Sequence, residues 1–235
     1  MKTYGFVFAR GGSKGVPGKN IRPLAGKPLL LHALDVVAAV SEIDRCFVST
    51  DAPAIAEVAR MGGATVIDRP TSLAQDNSPE WLAWQHAIRW VQERVGPFDR
   101  FVSLPATAPL RSPPDVAACL QALDNQTDVV VTVTESHRSP WFNMVRIEAN
   151  GEVGLLVQDG SRYVRRQDAP RAYDLTTLAY VSRPAFILTH QRIWDGFVRG
   201  VVIPAERAID IDTPFDFKIA DFLLRERLQR EQSTC

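Results

Sequence analysis

The chain has 235 residues, which suits one large α/β domain with a substantial buried core. Its 27 lysines and arginines balance 27 aspartates and glutamates, so the zero net charge gives no indication of a nucleic-acid or anionic-membrane partner. Three scattered cysteines argue against a disulfide framework, and no signal-peptide pattern or long apolar span is present, so we expect a protein of the reducing cytoplasm.

Short apolar runs rich in β-branched and aromatic residues alternate with segments of helical periodicity up to Glu135. The predicted strands are residues 4–9, 45–49, 64–67, 100–104 and 128–134. The predicted helices are residues 29–40, 54–61, 79–95 and 113–123. This alternation predicts an α/β fold with a doubly wound, mostly parallel sheet, helices on both faces and ligands outside the carboxyl ends of the strands.

The alternation breaks in the segment 136–175, which carries several prolines and glycines. Strand-like pieces at 144–147 and 154–157 favour a small β-rich insertion, which we interpret as a flap or dimerisation arm within a single domain spanning 1–235. The elements predicted after it are a strand at 175–181, a short helix at 185–190, a strand at 201–203 and a closing helix at 213–230.

The sharpest local feature is a glycine- and lysine-rich turn, ARGGSKGVPGKN at 9–20, directly after the first predicted strand. Its four glycines let backbone N–H groups approach an anion closely, and Arg10, Lys14 and Lys19 add donors and positive charge. Neither the Walker spacing nor G-x-G-x-x-G is present. The turn therefore predicts a triphosphate site of another kind, with a flexible, solvated basic loop as the alternative.

A pair of aspartates in IDIDTP, at 209–214, forms the second constellation. In an extended segment Asp210 and Asp212 project to the same side, and two carboxylates together suit Mg²⁺. Mg²⁺ would stabilise the charge that develops in nucleotidyl transfer. The alternative is helix capping by Asp212 or Thr213 before Pro214, and the two roles are compatible.

Residues 6–31 closely resemble the opening of the acylneuraminate cytidylyltransferases (CMP-sialic acid synthetases), and IDIDTPFDF resembles that family's closing Asp-Ile-Asp segment. The resemblance implies a nucleotide-diphospho-sugar-transferase-like fold and a homodimer. It also implies transfer of CMP from CTP to a nonulosonic (sialic-acid-like) 2-keto-3-deoxy sugar acid, with pyrophosphate released. The implied catalytic residues are Arg10, Lys14, Lys19, Asp210 and Asp212, the last two holding Mg²⁺. The turn residues implied to contact CTP are Gly11, Gly12, Ser13 and Asn20.

The loop LPATAPLR, at 104–111, resembles the family's Leu-Gln-Pro-Thr-Ser-Pro-Leu-Arg, but Pro105 replaces the glutamine that is expected to touch the sugar. The segment 173–180 aligns with one ending in Asn-Gly-x-x-Tyr, with Thr176 and Thr177 in place of Asn-Gly. The sugar contacts implied by these matches are Thr107, Arg111 and Tyr180. On charge alone a surface role suits Arg111 equally well, and the substitutions leave the sugar acid open.

The segment IDRP at 67–70, together with Asp76 and Ser78, resembles the family's nucleotide-side loop. We expect Arg69, Asp76 and Ser78 to contact the nucleotide, with an ordinary loop arginine as the alternative for Arg69. Asp51 is expected to cap the helix after the second strand.

Four arginines crowd the inserted segment: Arg162, Arg165, Arg166 and Arg171. Such a cluster can grip a sugar carboxylate bidentately, and we expect Arg165 and Arg166 to do so. The alternative is a solvated or dimer-interface face.

Two other functions remain open on the sequence. One is a pyrophosphorylase that loads a nucleotide onto a sugar phosphate; the sequence KGVPGKN and the D-x-D spacing favour the cytidylyltransferases over it. The other is a non-catalytic, nucleotide-binding assembly protein, against which the intact aspartates and lysines argue. The sequence identifies no general base.

Overall fold

Seven strands form the central sheet of the computed structural model, which describes residues 1–158 and 163–233. These strands are β1 (Thr3–Phe8), β4 (Arg45–Thr50), β5 (Thr65–Asp68), β6 (Arg100–Ser103), β7 (Val129–Glu135), β10 (Tyr173–Ser182) and β11 (Val198–Val202). Across the sheet the order is β11-β7-β10-β6-β1-β4-β5. All neighbours pair in parallel except β10, which runs antiparallel to both β6 and β7.

Helices cover both faces of this sheet, as the alternating pattern predicts. The helices are α1 (Leu29–Ala39), α2 (Pro53–Met61), α3 (Glu80–Arg94), α4 (Pro113–Ala122), α5 (Pro184–Thr189) and α6 (Pro214–Ser233). Residues of α1, α2 and α4 share one apolar core with the sheet, while α3 and α5 share the other. No helix within the described ranges is long and apolar enough to cross a membrane.

Strand β1 shows why the central strands read as continuous apolar runs. Its side chains alternate between the two cores, so Phe6 faces α3 and its neighbour Val7 faces α1, and both are fully buried. The Phe6 ring stacks on Phe101 of β6 at 4.7 Å between centroids. A strand buried on both faces has no polar side, and this is the pattern that the sequence carries.

A third apolar cluster lies beneath the two charged sequence motifs, the glycine-rich turn and the aspartate segment. It contains Val16 from the glycine-rich turn, Ile211 from between the two aspartates and Phe217 from α6. The small hairpin of β2 (Pro23–Leu24) and β3 (Lys27–Pro28) contributes Leu24 to the same cluster. This packing holds the two sequence motifs side by side.

The inserted segment contains a separate two-stranded hairpin, in which β8 (Val145–Ile147) pairs antiparallel with β9 (Val153–Leu155). The predicted β-rich insertion is therefore present as local structure, and its dimerisation role stays a prediction. Arg162 lies outside the described residues. The direction of β10 was not predicted, and neither was the irregularity in its pairing with β7 between Thr176 and Tyr180.

Candidate active site

A cavity of about 390 Å³ opens at the carboxyl ends of β1 and β6. Its wall combines the glycine-rich turn, the loop between β5 and α3, the loop after β6 and the irregular part of β10. The predicted site residues that line it are Arg10, Ser13, Lys14, Lys19, Asn20, Arg69, Asp76, Ser78, Thr107, Tyr180 and Asp212. The structure thus brings most of the predicted nucleotide, sugar and metal residues to one place.

The glycine-rich turn and the aspartate segment touch through their backbones. A Cβ at Gly15 would overlap the carbonyl oxygen of Asp212, so only glycine allows this approach. The Lys19 ammonium donates to the carbonyl oxygen of Ile211 and lies 3.6 Å from the Asp212 carboxylate. Since the Lys19 side chain is only 12 % exposed, its charge is fixed at this junction.

Two side chains shape the start of the turn. The Asn20 amide donates to the carbonyl of Arg10 at 3.0 Å, and the Gly11 N–H donates to the carboxylate of Asp51 at 3.0 Å. The prediction that Asp51 caps α2 is wrong, because the residue before that helix is Ala52 and no side chain caps it. Asp51 directly follows β4, and its carboxylate instead accepts the hydrogen bond of the Gly11 N–H.

Asp76 ties two cations of the turn together at the rim of the cavity. Its carboxylate pairs with Arg10 at 2.5 Å and also with Lys14. Hydrogen bonds from Lys14 and then Arg10 lower the pKa of Asp76. An anion that binds Arg10 and Lys14 must therefore share them with Asp76 or displace it.

Arg69 is anchored rather than solvated, which rules out an ordinary loop arginine. It is buried, and it donates to the hydroxyl of Ser49 at 3.1 Å and to the Ser49 carbonyl at 2.7 Å. Its guanidinium carbon lies 5.5 Å from the centroid of the Phe8 ring. Burial lowers the pKa of Arg69, and the charge of Glu80 opposes that shift.

Glu80 is a wall residue that the sequence reasoning missed. Its carboxylate accepts a hydrogen bond from the Trp84 indole at 3.2 Å. Desolvation raises the pKa of Glu80, with Trp84 and Arg69 acting in the opposite direction. In the sequence Glu80 reads as an ordinary acidic residue in the first turn of a helix, so no local signal marks it.

The two aspartates differ in exposure. The Asp212 side chain is 75 % exposed, whereas Asp210 is half-buried and its Oδ1 has no hydrogen-bond partner in the part of the chain that the structure describes. Desolvation raises the pKa of Asp210, and the charge of Asp212 adds to that rise. The Thr107 and Thr177 hydroxyls oppose it.

Helix capping at α6 falls to neighbours of this pair. The Asp216 N–H donates to the Thr213 hydroxyl at 3.2 Å, and the Thr213 N–H donates to Asp216 at 2.8 Å. Thr213, rather than either aspartate of the pair, makes the capping contact, so the carboxylate of Asp212 is left at the cavity and its metal role stays a prediction.

The oxygen donors fit Mg²⁺. An unpartnered buried oxygen on Asp210 beside the exposed carboxylate of Asp212 is a hard-oxygen set of the type this ion prefers. Within residues 1–158 and 163–233 no cluster of three or more His, Cys, Asp or Glu side chains could hold a metal alone. The remaining ligands would have to come from phosphate oxygens and water.

Three predicted sugar contacts do not reach the cavity wall in this chain. Arg111 is only 1 % exposed, so it is not a surface arginine, and it donates to the carbonyl of Pro105. Burial lowers the pKa of Arg111 to about 9, opposed by the charges of Asp210 and Asp115. Arg165 and Arg166 lie exposed on the inserted segment, where Arg165 pairs with Asp168 at 2.9 Å and Arg166 donates to the His137 carbonyl at 2.7 Å.

Comparisons with known proteins agree with this geometry. Residues 5–196 match the family model described as Cytidylyltransferase. The chain is 30 % identical over 221 residues to the CMP-N,N'-diacetyllegionaminic acid synthase of Campylobacter jejuni, covering 93 % of both proteins. It is 31 % identical over 217 residues to the N-acylneuraminate cytidylyltransferase B of Danio rerio, which covers 92 % of this chain but 49 % of that relative.

The fold is also similar to that of a solved structure, CMP:2-keto-3-deoxy-manno-octonic acid synthetase complexed with CTP. The TM-score is 0.72 at 17 % sequence identity, with 97 % of this chain and 100 % of that chain covered. At this identity the likeness shows the shared fold, a mostly parallel sheet with helices on both faces.

Proposed function

Because the chain belongs to the cytidylyltransferase family and is a nucleotidyltransferase, we propose that it transfers CMP from CTP to a nonulosonic, sialic-acid-like 2-keto-3-deoxy sugar acid. The observation that carries this proposal is the junction of the glycine-rich turn with the aspartate segment at Gly15, Lys19 and Asp212. That junction places the fixed positive charge of Lys19 beside the Asp212 carboxylate at the cavity wall, with Asp210 two residues away behind that wall, and a triphosphate with its metal requires both kinds of group.

In the proposed reaction the anomeric hydroxyl oxygen of the sugar acid attacks the α-phosphorus of CTP. The bond from that phosphorus to the oxygen bridging to the β-phosphate breaks, pyrophosphate leaves, and the hydroxyl proton passes to solvent or to a base. Arg10, Lys14 and Lys19 would hold the triphosphate. Much of the catalysis would consist of positioning and charge stabilisation at preorganised groups.

Mg²⁺ is the proposed metal, held by Asp210 and Asp212. When bound it would neutralise charge on the phosphate oxygens. Lys19 keeps the Asp212 carboxylate in place by contacting both that carboxylate and the Ile211 carbonyl.

The rest of the wall divides between the two substrates. We assign Arg69, Asp76 and Ser78 to the nucleotide, together with the turn residues Gly11, Gly12, Ser13 and Asn20. Thr107 and Tyr180, which lie on the loop after β6 and on β10, are assigned to the sugar acid. The Tyr180 phenol is suited to donate a hydrogen bond, because burial raises its pKa to about 12.

We also propose that the protein is a homodimer built on the inserted segment. The β8–β9 hairpin exposes Val145 (51 %), Ile147 (72 %) and Val153 (59 %), an apolar surface that a second copy would cover. Arg165 and Arg166 lie on the same segment, so dimerisation would let them act at the neighbour's cavity. Light scattering should give a dimer mass for the wild type and a monomer mass for Ile147→Glu, with Met61→Glu on α2 (76 % exposed) as the matched control that stays dimeric.

The experiment that tests the reaction measures pyrophosphate release with Mg²⁺, pairing each of CTP, UTP, ATP and GTP with a panel of nonulosonic acids and, separately, with a panel of sugar phosphates. Release that needs CTP and one acid, is lost in Asp212→Ala and survives in Asp174→Ala, an exposed carboxylate of β10, supports the proposal. Pyrophosphate release with another nucleotide, or with a sugar phosphate as the acceptor, would instead indicate the alternative function, a pyrophosphorylase that loads a nucleotide onto a sugar phosphate. CTP binding without release from any pair points to a nucleotide-binding protein that has lost catalysis.

A further inference from the structure

Strand β10 leaves its regular pairing where it passes the cavity. Thr176 pairs with Thr132 of β7, and the next paired residue of β10 is Tyr180 opposite Val131, so the three residues between them stand outside the regular strand pairing with β7. The Thr132 hydroxyl seats this bulge by accepting hydrogen bonds from the Thr176 hydroxyl at 2.6 Å and the Ala179 N–H at 3.3 Å. The bulge turns Thr177 toward the cavity.

Thr176 and Thr177 are adjacent threonines whose hydroxyl groups differ in hydrogen bonding. The hydroxyl of Thr176 is buried and satisfied by Thr132. The hydroxyl of Thr177 is buried and has no hydrogen-bond partner among the described residues. A buried hydroxyl without a partner costs stability and is rare, so its presence calls for a reason outside the fold.

A second unpartnered polar atom lies beside it. The Oδ1 of Asp210 is buried without a hydrogen bond, again within the described part of the chain. The hydroxyls of Thr107 and then of Thr177 lie near enough to this carboxyl to lower its pKa by hydrogen bonding, although the Thr177 hydroxyl makes no hydrogen bond of good geometry among the described residues. A donor and an acceptor that are both unsatisfied and adjacent can satisfy each other after a small rotation of either side chain.

We propose that Thr177 is a positioning residue for Asp210, donating a hydrogen bond to its carboxylate and fixing which oxygen faces the metal. This inference rests on the proposed metal role of Asp210. Partners of this kind, which contact a metal ligand rather than the metal, orient the ligand and change metal affinity by about 10- to 100-fold. Thr177 stands where the acylneuraminate cytidylyltransferase pattern has glycine. Because glycine has no hydroxyl, the proposed hydrogen bond to Asp210 is specific to sequences with a residue such as Thr177 here.

The test compares Thr177→Val, which keeps the shape and removes the hydroxyl, with Thr177→Ser, which keeps the hydroxyl. Thr176→Val is the matched control on the neighbouring residue. Mn²⁺ serves as the probe, and its dissociation constant in the presence of CTP is measured by electron paramagnetic resonance without turnover. Melting temperatures and the separate KM values for CTP and metal are measured on the same samples.

Thr177→Val is expected to weaken Mn²⁺ binding about tenfold, because Asp210 loses the donor that would orient it when the metal is bound. Without metal the variant should melt no lower than the wild type, because the hydroxyl has no partner among the described residues of the metal-free protein. Thr177→Ser should bind Mn²⁺ like the wild type. Thr176→Val should melt at a lower temperature, since it loses the bond to Thr132, with its Mn²⁺ affinity unchanged. A threonine with a purely structural role would change the melting temperature and leave Mn²⁺ affinity unchanged. The pattern expected for Thr177→Val is the reverse.

Two results would overturn the inference: equal Mn²⁺ affinity in Thr177→Val and the wild type, or an equal loss of affinity in Thr176→Val. Wild-type protein and Asp210→Asn are measured first. If the wild type with CTP binds no Mn²⁺, or Asp210→Asn binds it equally well, the metal role of Asp210 fails and this inference fails with it. If Asp210→Asn loses Mn²⁺ and Thr177→Val does not, only the role of Thr177 is wrong.

Discussion

The two sides of the cavity are built differently. On the side that we assign to the nucleotide, contacts are made to the backbone: Gly15 lies against the Asp212 carbonyl, and the Lys19 ammonium binds the Ile211 carbonyl. On the sugar side, the wall consists of side chains, such as Thr177 and Tyr180 of β10, carried on a strand with a bulge. Backbone contacts admit few substitutions, whereas side chains on a strand can be exchanged one at a time.

This difference explains where the sequence motifs are complete. The nucleotide side keeps its full pattern because changing one residue there moves a second segment. The sugar side departs from the family pattern at Pro105, Thr176 and Thr177, and in this chain the bulge of β10 is held by bonds from the Thr176 hydroxyl and the Ala179 N–H to Thr132. We therefore expect substitutions on the two sides to differ in size and in kind.

The largest effect should come from removing the buried cation of the junction. Lys19→Met is expected to lower kcat by about 10²- to 10³-fold, since it removes a fixed donor from a partly desolvated site. Lys14→Met is the matched variant, and because that side chain is 80 % exposed we expect a loss of about tenfold, mainly in KM for CTP. Steady-state kinetics at saturating sugar acid distinguish the two. Equal losses of kcat in the two variants would contradict the idea that the fixed position of Lys19 at the junction contributes more than its positive charge alone.

The next largest effect is expected from adding a methyl group where Gly15 contacts the Asp212 backbone. Gly15→Ala should lower kcat/KM by about a hundredfold, because a Cβ there would push the turn and the Asp212 segment apart and misplace groups by about 1 Å. Gly12→Ala is the control, since a Cβ at Gly12 meets nothing closer than the Arg10 guanidinium at 3.9 Å. The comparison breaks down if both alanine variants lose activity equally.

A smaller effect is expected at the support of the turn. Asp51→Ala removes the acceptor of the Gly11 N–H and should raise KM for CTP about tenfold, since a hydrogen bond to a charged group is lost. Asp51→Asn keeps an acceptor oxygen and should stay close to the wild type. If Asp51→Asn is as impaired as Asp51→Ala, the negative charge rather than the hydrogen bond is what matters.

The smallest effect should appear on the sugar side. Tyr180→Phe is expected to raise KM for the sugar acid by a few-fold, the size of one neutral hydrogen bond, and to leave KM for CTP unchanged. Because burial and the charges of Glu80 and Asp210 raise the pKa of Tyr180 to about 12, its phenol stays protonated below that pH. The pH dependence of kcat/KM from about pH 7 to about pH 10 should therefore have the same shape in both proteins. A profile that flattens only in Tyr180→Phe would show that Tyr180 titrates in this range.

Much of the fold could be predicted because its strands are buried on both faces and therefore appear as uninterrupted apolar runs. The direction of β10 could not, because a strand's own pattern does not reveal how the preceding chain returns to the sheet. Residues 136–172 separate it from β7, and nothing in the local sequence indicates that β10 enters the sheet between β6 and β7.

The candidate site shows the same limit at individual residues. Lys19 and Asp212 could be predicted from their motifs, but Asp51 binds Gly11 from 40 positions away, and a local reading made it a helix cap. Arg111 was expected to contact the sugar, with a surface position as the alternative, yet tertiary packing buries it. Glu80 reaches the cavity only because α3 packs beside Arg69. Contacts between distant segments determine each of these roles.

The most direct test of the central claim identifies the product. The protein is incubated with CTP, Mg²⁺ and a mixture of nonulosonic acids and sugar phosphates, and mass spectrometry is combined with a pyrophosphate assay. We predict one new species with the mass of CMP joined to one acid with loss of water, formed in equal amount to pyrophosphate and absent with Asp212→Ala. A nucleotide joined to a sugar phosphate, or bound CTP with no product from any acid, would contradict the account.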